Sequence, residues 1–90
     1  MKLIYCPLCD DVVKLDFRFR MCKCQQSGGQ YHEDGIHADY CGEAVPIGFA
    51  NSSFMAAVHG QPEEGPKGKE FVAFVIPKKC DTMNQIEFNR

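Results

Sequence analysis

Apolar and polar side chains alternate along residues 12–21. Val13, Leu15, Phe17 and Phe19 fall on one side, and Lys14, Asp16, Arg18 and Arg20 on the other. A period of two is strand periodicity, so this stretch is expected as one strand with an apolar core face and a basic solvent face. A short apolar run, residues 2–5, reads as a strand ahead of it. Residues 70–76 (Glu-Phe-Val-Ala-Phe-Val-Ile) are rich in β-branched and aromatic side chains and apolar nearly throughout. That composition predicts a central strand buried on both faces, stopped by Pro77. Residues 44–50 are also apolar, but Pro46 cannot donate to a ladder and predicts an edge strand or extended segment. Residues 30–32 are expected as a short return strand, and residues 84–89 as a last strand through Ile86 and Phe88.

Between these runs lie turn signals. Gly28-Gly29 follows Gln25-Gln26-Ser27 and predicts a sharp reversal. Asp34-Gly35 is a hairpin signal. Asn51, Ser52 and Ser53 are helix-capping residue types before Phe54-Met55-Ala56-Ala57-Val58, which predicts one short helix closed at His59-Gly60. Residues 61–69, with two prolines and two glycines, read as an exposed loop.

The chemistry concentrates in Cys6, Cys9, Cys22 and Cys24, spaced C-x2-C-x12-C-x-C. Two close thiolate pairs close a tetrahedral zinc site when the segment between them folds back. Pro7 suits the tight turn inside the first pair. Ninety residues suggest one domain with a limited core, which a structural metal supplements. Disulfides are the alternative use of six cysteines, but paired spacings suit a metal better. The opening residues carry no signal-peptide pattern and no apolar run approaches a membrane span, so a cytoplasmic protein with no membrane association is expected. Cys41 and Cys80 match no ligand spacing and are expected as small apolar core residues. His32, His37 and His59 are expected in solvent-facing or hydrogen-bonded roles.

The quartet resembles that of the zinc ribbons, in which cysteine knuckles on two β-hairpins grip one zinc that is usually structural. The resemblance covers residues 3–32: Cys6 and Cys9 match the first knuckle, and Cys22 and Cys24 the second. The second knuckle departs from the usual C-x2-C, and Asp10 stands where a glycine is common. His32 is the first substitute for a missing fourth ligand. Iron of the rubredoxin kind also takes four cysteines, but from paired C-x2-C knuckles that are not matched here. The chain's form resembles the small stand-alone zinc-ribbon proteins of bacteria and phages, which implies a regulator or inhibitor of a host machine.

Charge adds a second constraint. The net charge of −2 is segregated: residues 1–24 carry +2, residues 25–66 carry −6 with no Lys or Arg, and residues 67–90 carry +2. An acidic chain is a poor non-specific binder of nucleic acid. The basic face of Lys14, Arg18 and Arg20, with Lys23, remains the best nucleic-acid candidate. Cys6-Pro7-Leu8-Cys9 is also a C-P-x-C redox motif after an apolar strand, as in thioredoxin-like proteins. Strand alternation follows it where those proteins need a helix, and Asp10 and Asp11 disfavour a thiolate.

The expected fold is therefore a β-rich α+β domain spanning residues 1–90. An N-terminal zinc ribbon, residues 1–32, is continuous with a small antiparallel sheet and one short helix, and residues 33–90 pack on it. The expected function is a non-enzymatic, Zn2+-stabilised module that binds a protein partner. A nucleic-acid-binding ribbon and a C-P-x-C thiol redox protein are the alternatives.

Overall fold

The computed structural model describes residues 1–87. Among them run β1 (Lys2–Tyr5), β2 (Val12–Lys14), β3 (Arg20–Met21), β4 (Gly28–Tyr31), β5 (Ala38–Cys41), β6 (Val45–Phe49), α1 (Asn51–His59), β7 (Ala73–Val75) and β8 (Met83–Gln85). The strands form two four-stranded sheets, ordered β2-β1-β6-β7 and β3-β4-β5-β8. Every pairing is antiparallel except β5 with β8. The fold is strand-rich α+β with a single short helix, as expected, with the cysteine pairs in its N-terminal part.

The alternation at residues 12–21 does not make one strand. Leu15 N–H donates to the Lys2 carbonyl at 3.1 Å, and the chain then leaves the first sheet. The Asp16 carbonyl accepts the Tyr31 N–H at 2.8 Å, so Asp16 already touches the second sheet. Asp16 Oδ1 also accepts the Phe17 N–H at 2.7 Å, bending the chain between the two ladders. Val13 and Leu15 are buried, whereas Phe17 and Phe19 are 59% and 37% exposed. The expectation that all four point inward is thus corrected. One continuous strand would have to belong to one sheet, and this segment serves two.

The two remaining apolar runs exchange the places their composition predicts. Residues 73–75 form the outer strand of the first sheet and are exposed throughout; of residues 70–76 only Ile76 is buried. β6, with Pro46, lies in the interior between β1 and β7. The missing donor is harmless there because of register. Pro46 accepts the Ile76 N–H at 2.9 Å, so its polar side faces β7 just past that strand's end rather than β1.

The glycine pair is also not a turn. Gly28 and Gly29 lie in β4, where a side chain would collide with Met21 and Phe19, or with the Asp39 carbonyl. Asp34-Gly35 does turn the chain from β4 to β5, with Gly35 at φ 67° and Asp34 Oδ1 accepting the N–H groups of Ile36 and His37, each at 2.9 Å. Helix α1 is capped at Ala50 with no side-chain cap. Ser53 instead donates to the Ala50 carbonyl at 3.0 Å and accepts the Val72 N–H at 2.9 Å, tying the helix to the run before β7. Phe49, Phe54 and Phe71 meet between helix and sheet with ring centroids 5.0–5.3 Å apart. β8 covers only the start of the expected last strand; Ile86 lies beyond it, and Phe88 lies outside the described residues.

Both sheets feed one buried cluster. Ile4, Val13 and Ile76 come from or beside the first, and Ala38, Tyr40 and Met83 from the second; Leu15 joins them from the crossing segment. Cys6 and Cys22 belong to the same cluster, so the cysteine site grows out of the core rather than standing apart from it.

Candidate metal centre

Each cysteine pair lies in the turn of a hairpin, and the two hairpins belong to different sheets. Cys6 and Cys9 lie between β1 and β2, and Cys22 and Cys24 between β3 and β4. The first turn closes through Asp10 N–H to the Cys6 carbonyl at 2.8 Å and Cys6 N–H to the Asp11 carbonyl at 2.9 Å. The second closes through Gln25 N–H to the Cys22 carbonyl at 3.0 Å and Cys22 N–H to the Ser27 carbonyl at 2.9 Å. The residue after each pair adopts positive φ, 59° at Asp10 and 61° at Gln25. Aspartate visits this region more readily than most residues, which explains how it stands where a glycine is common. Its carboxylate also accepts a hydrogen bond from the Tyr5 hydroxyl.

The four sulfurs all lie within 4.8 Å of one another. Cys6 and Cys24 are 3.7 Å apart, and Cys22 and Cys24 are 3.5 Å apart. Zinc–thiolate bonds of about 2.3 Å in a tetrahedron put the sulfurs about 3.8 Å apart. These residues therefore fit a four-coordinate metal ion, and the C-x-C spacing of the second pair does not prevent it. Six free cysteines are present in all, and none is in a disulfide.

Electrostatics also favour a cation. Burial pushes the Cys6 thiol up, but hydrogen bonds from Ser27, from the Cys9 and Leu8 backbone and from Cys22 outweigh it and bring it down to about 6. At Cys22 burial again raises the value, and the Ser27 N–H and the Cys24 thiol lower it further than that. Cys24 gains from the Gln26 N–H, yet burial and the neighbouring Cys22, Cys9 and Cys6 thiols push it up to about 12. Four close sulfurs cannot all carry charge alone; a bound cation removes that conflict.

A surrounding layer holds the knuckles in place. Ser27, 0% exposed, sends its hydroxyl to Cys6 Sγ at 3.6 Å. Asp11 Oδ2 accepts the Lys23 N–H at 3.0 Å, which braces one knuckle against the other. Gly42 packs so closely on the second knuckle that a side chain there would collide with the Gln26 carbonyl, and its φ is +83°. No sequence pattern marks Ser27 or Gly42 as part of this layer, and Asp11 stands out in the sequence only as an acid beside the first pair. The available signal was the polar residue beside each cysteine pair.

His32 is not needed as a fourth ligand: its Nε2 pairs with Asp39 at 3.0 Å. His37 pairs with Asp34, and His59 ends α1. Cys41 is fully buried, as expected, while Cys80 is half-buried with its sulfur 3.5 Å from the Thr82 hydroxyl. The basic candidates do not form one strand face. Lys14 lies in β2, Arg20 in β3, Arg18 on the bend between them and Lys23 inside the second knuckle. All four are exposed, and Arg20 Nη1 reaches the Lys14 carbonyl at 3.0 Å. The segment after Cys9 is strand β2, not the helix a thioredoxin-like site requires.

Compared with protein-family models, with curated proteins and with solved structures, the chain matches none. Among the described residues no helix is long and apolar enough to cross a membrane.

Proposed function

We propose that this chain is a cytoplasmic, zinc-stabilised, non-enzymatic protein-binding module, acting as a regulator or inhibitor of a larger machine. Zinc is the metal favoured by four thiolates at tetrahedral spacing, and four protein ligands leave no open position for a substrate. Both cysteines of the C-P-x-C motif are then ligands, which removes the thiol redox reading. The observation that supports a protein partner is the bent segment between β2 and β3, which leaves Phe17 exposed beside Arg18 and Arg20. Aromatic and arginine side chains are the residue types that anchor protein interfaces. Phe17 is backed by Tyr31, with ring centroids 6.0 Å apart, and a supported ring loses less freedom on binding.

The test is an affinity capture from native lysate, with nuclease-treated and untreated arms and with Phe17→Ser as a second bait. The expected result is a nuclease-resistant protein partner that the Phe17→Ser bait loses, as removal of an interface anchor costs about 2 kcal/mol or more. Capture that depends wholly on nucleic acid would overturn it.

That second reading has one observation in its favour. Exposed phenylalanines interleaved with arginines are also the layout on which single-stranded bases stack. Changing Lys14, Arg18 and Arg20 together to Gln tests it at two salt concentrations, since each phosphate-binding side chain removed flattens the salt slope by about one. The net charge of −2 argues that the parent protein shows no salt-resistant binding to DNA or RNA.

A further inference from the structure

Among the described residues the outer side of β7 is the most apolar sheet edge, and it lies at the opposite side of the first sheet from β2, which leads into the segment invoked above. Among the described residues no strand lies beyond it. Proteins usually guard such edges with charge, proline or bulges. Residues 71–76 carry none of these, and Val72, Phe74 and Val75 are exposed. The other edge strands are shorter or more polar: Val12–Lys14, Arg20–Met21 and Met83–Gln85.

The hydrogen bonds fix which backbone groups are open. Ile76 N–H goes to the Pro46 carbonyl at 2.9 Å, and Ala50 N–H goes to the Val72 carbonyl at 2.8 Å. Residues 72, 74 and 76 therefore turn their polar groups toward β6. In an antiparallel ladder the alternate residues, Ala73 and Val75, turn theirs outward.

We propose that this edge pairs with the same edge of a second copy, antiparallel, about a two-fold axis at Phe74. In that register Ala73 of one copy and Val75 of the other exchange both hydrogen bonds, twice over. Phe71 N–H meets the carbonyl of Pro77, and each end forms one of the two possible bonds because Pro77 has no N–H to return to the Phe71 carbonyl. Phe74 meets Phe74 at the close, non-hydrogen-bonded pair, with each ring lying over Gly48 on the inner side. Glu70 falls opposite Lys78 at both ends, and this charge match selects a second copy over an unrelated strand. Among the described residues Glu70 pairs with the exposed Lys67 of its own chain, a weak competitor. Lys69 would face Lys79 one step further out, but its side chain is folded back over Gly60. The product is one continuous eight-stranded sheet built from two four-stranded ones.

Sedimentation across a concentration series tests this on the metal-loaded full chain. The expected parent behaviour is a reversible dimer. Val75→Pro removes an outward N–H without touching the β6 ladder, and it should weaken the dimer about tenfold or more, since two hydrogen bonds disappear per dimer. Should that variant fail to fold, the charge pair decides. Glu70→Lys and Lys78→Glu should each weaken the dimer, and the double exchange should restore it. A parent that stays monomeric, a dimer indifferent to a folded Val75→Pro, or single and double charge variants of equal strength would each overturn the proposal. A monomer would leave the protein-binding function standing, because that function uses Phe17 and is read by capture.

Discussion

The cysteine knuckles and the apolar run at residues 70–76 are the two strongest local signals in this chain, and they fare differently. The knuckles fold as their spacing requires, with four sulfurs within 4.8 Å. The apolar run, which reads as the centre of the core, forms an exposed edge. The difference is one of range. A knuckle is closed by hydrogen bonds between residues a few positions apart, and its ligands leave the chain few other ways to satisfy a metal. A strand's burial depends on what pairs with both its sides, and that is decided by residues far away in sequence. Hydrophobicity says that a segment prefers cover, not that it receives it within its own chain.

The largest effect should come from breaking the metal end. Elemental analysis of the purified protein should find about one zinc per chain, and chelation should abolish cooperative unfolding, because metal binding in a small domain is folding free energy. Cys22→Ser should behave as the chelated protein does. Iron in place of zinc, or a metal-free chain with an unchanged melting curve, would defeat this. Acid should release the metal as protons compete for the thiolates, so stability is expected to fall with falling pH.

The next test sets one alternation position against the exposed edge. Leu15 is 1% exposed at the centre of the shared core, and Leu15→Ala should cost about 2–5 kcal/mol. Phe74 is 49% exposed, and its ring covers Gly48 rather than filling the core. Phe74→Ala in the monomer should cost about 1–2 kcal/mol, well below a buried phenylalanine. Urea unfolding at a concentration below dimer formation separates the two. Equal losses would show that β7 is core after all.

Much of the fold could be read from local rules. The Asp34-Gly35 reversal, the short helix and both knuckles rest on contacts among near neighbours, and each appears. What could not be read depends on pairing. Residues 12–21 alternate without fault, yet the segment must leave β1 and reach β4, so Phe17 is left exposed and Phe19 lies over Gly28 rather than in the shared core. Pro46 looks like an edge marker, but its missing N–H faces the point where β7 ends, so an interior strand tolerates it. Gly28 and Gly29 look like a turn, but β3 and β5 approach too closely there for side chains. At the metal centre the four ligands were legible. Ser27, Asp11 and Gly42 were not, because each is brought to the site by the second sheet or by the opposite knuckle.

The smallest expected effect concerns a turn that local sequence does specify. Asp34 accepts the N–H groups of Ile36 and His37 and faces the His37 ring. The Ile36 N–H first, then the His37 ring and N–H, hold its carboxyl well below the usual carboxylate range. A depressed folded value means that the turn's contribution is complete above the pH at which an unfolded aspartate titrates. It is lost as pH falls through the lower folded value. The Asp34 carboxyl carbon resonance should therefore keep its ionised position as pH is lowered past the ordinary aspartate range, for as long as the metal stays bound. Asp34→Ala isolates the turn at neutral pH, away from acid release of the metal. It should lower the urea midpoint slightly without changing the slope, and the Ile36 and His37 amide resonances should shift most. If those amides are unmoved, or if the carboxyl titrates at the ordinary value, the turn is held by Gly35 and the β4–β5 ladder alone, and even this short-range signal would owe its geometry to pairing.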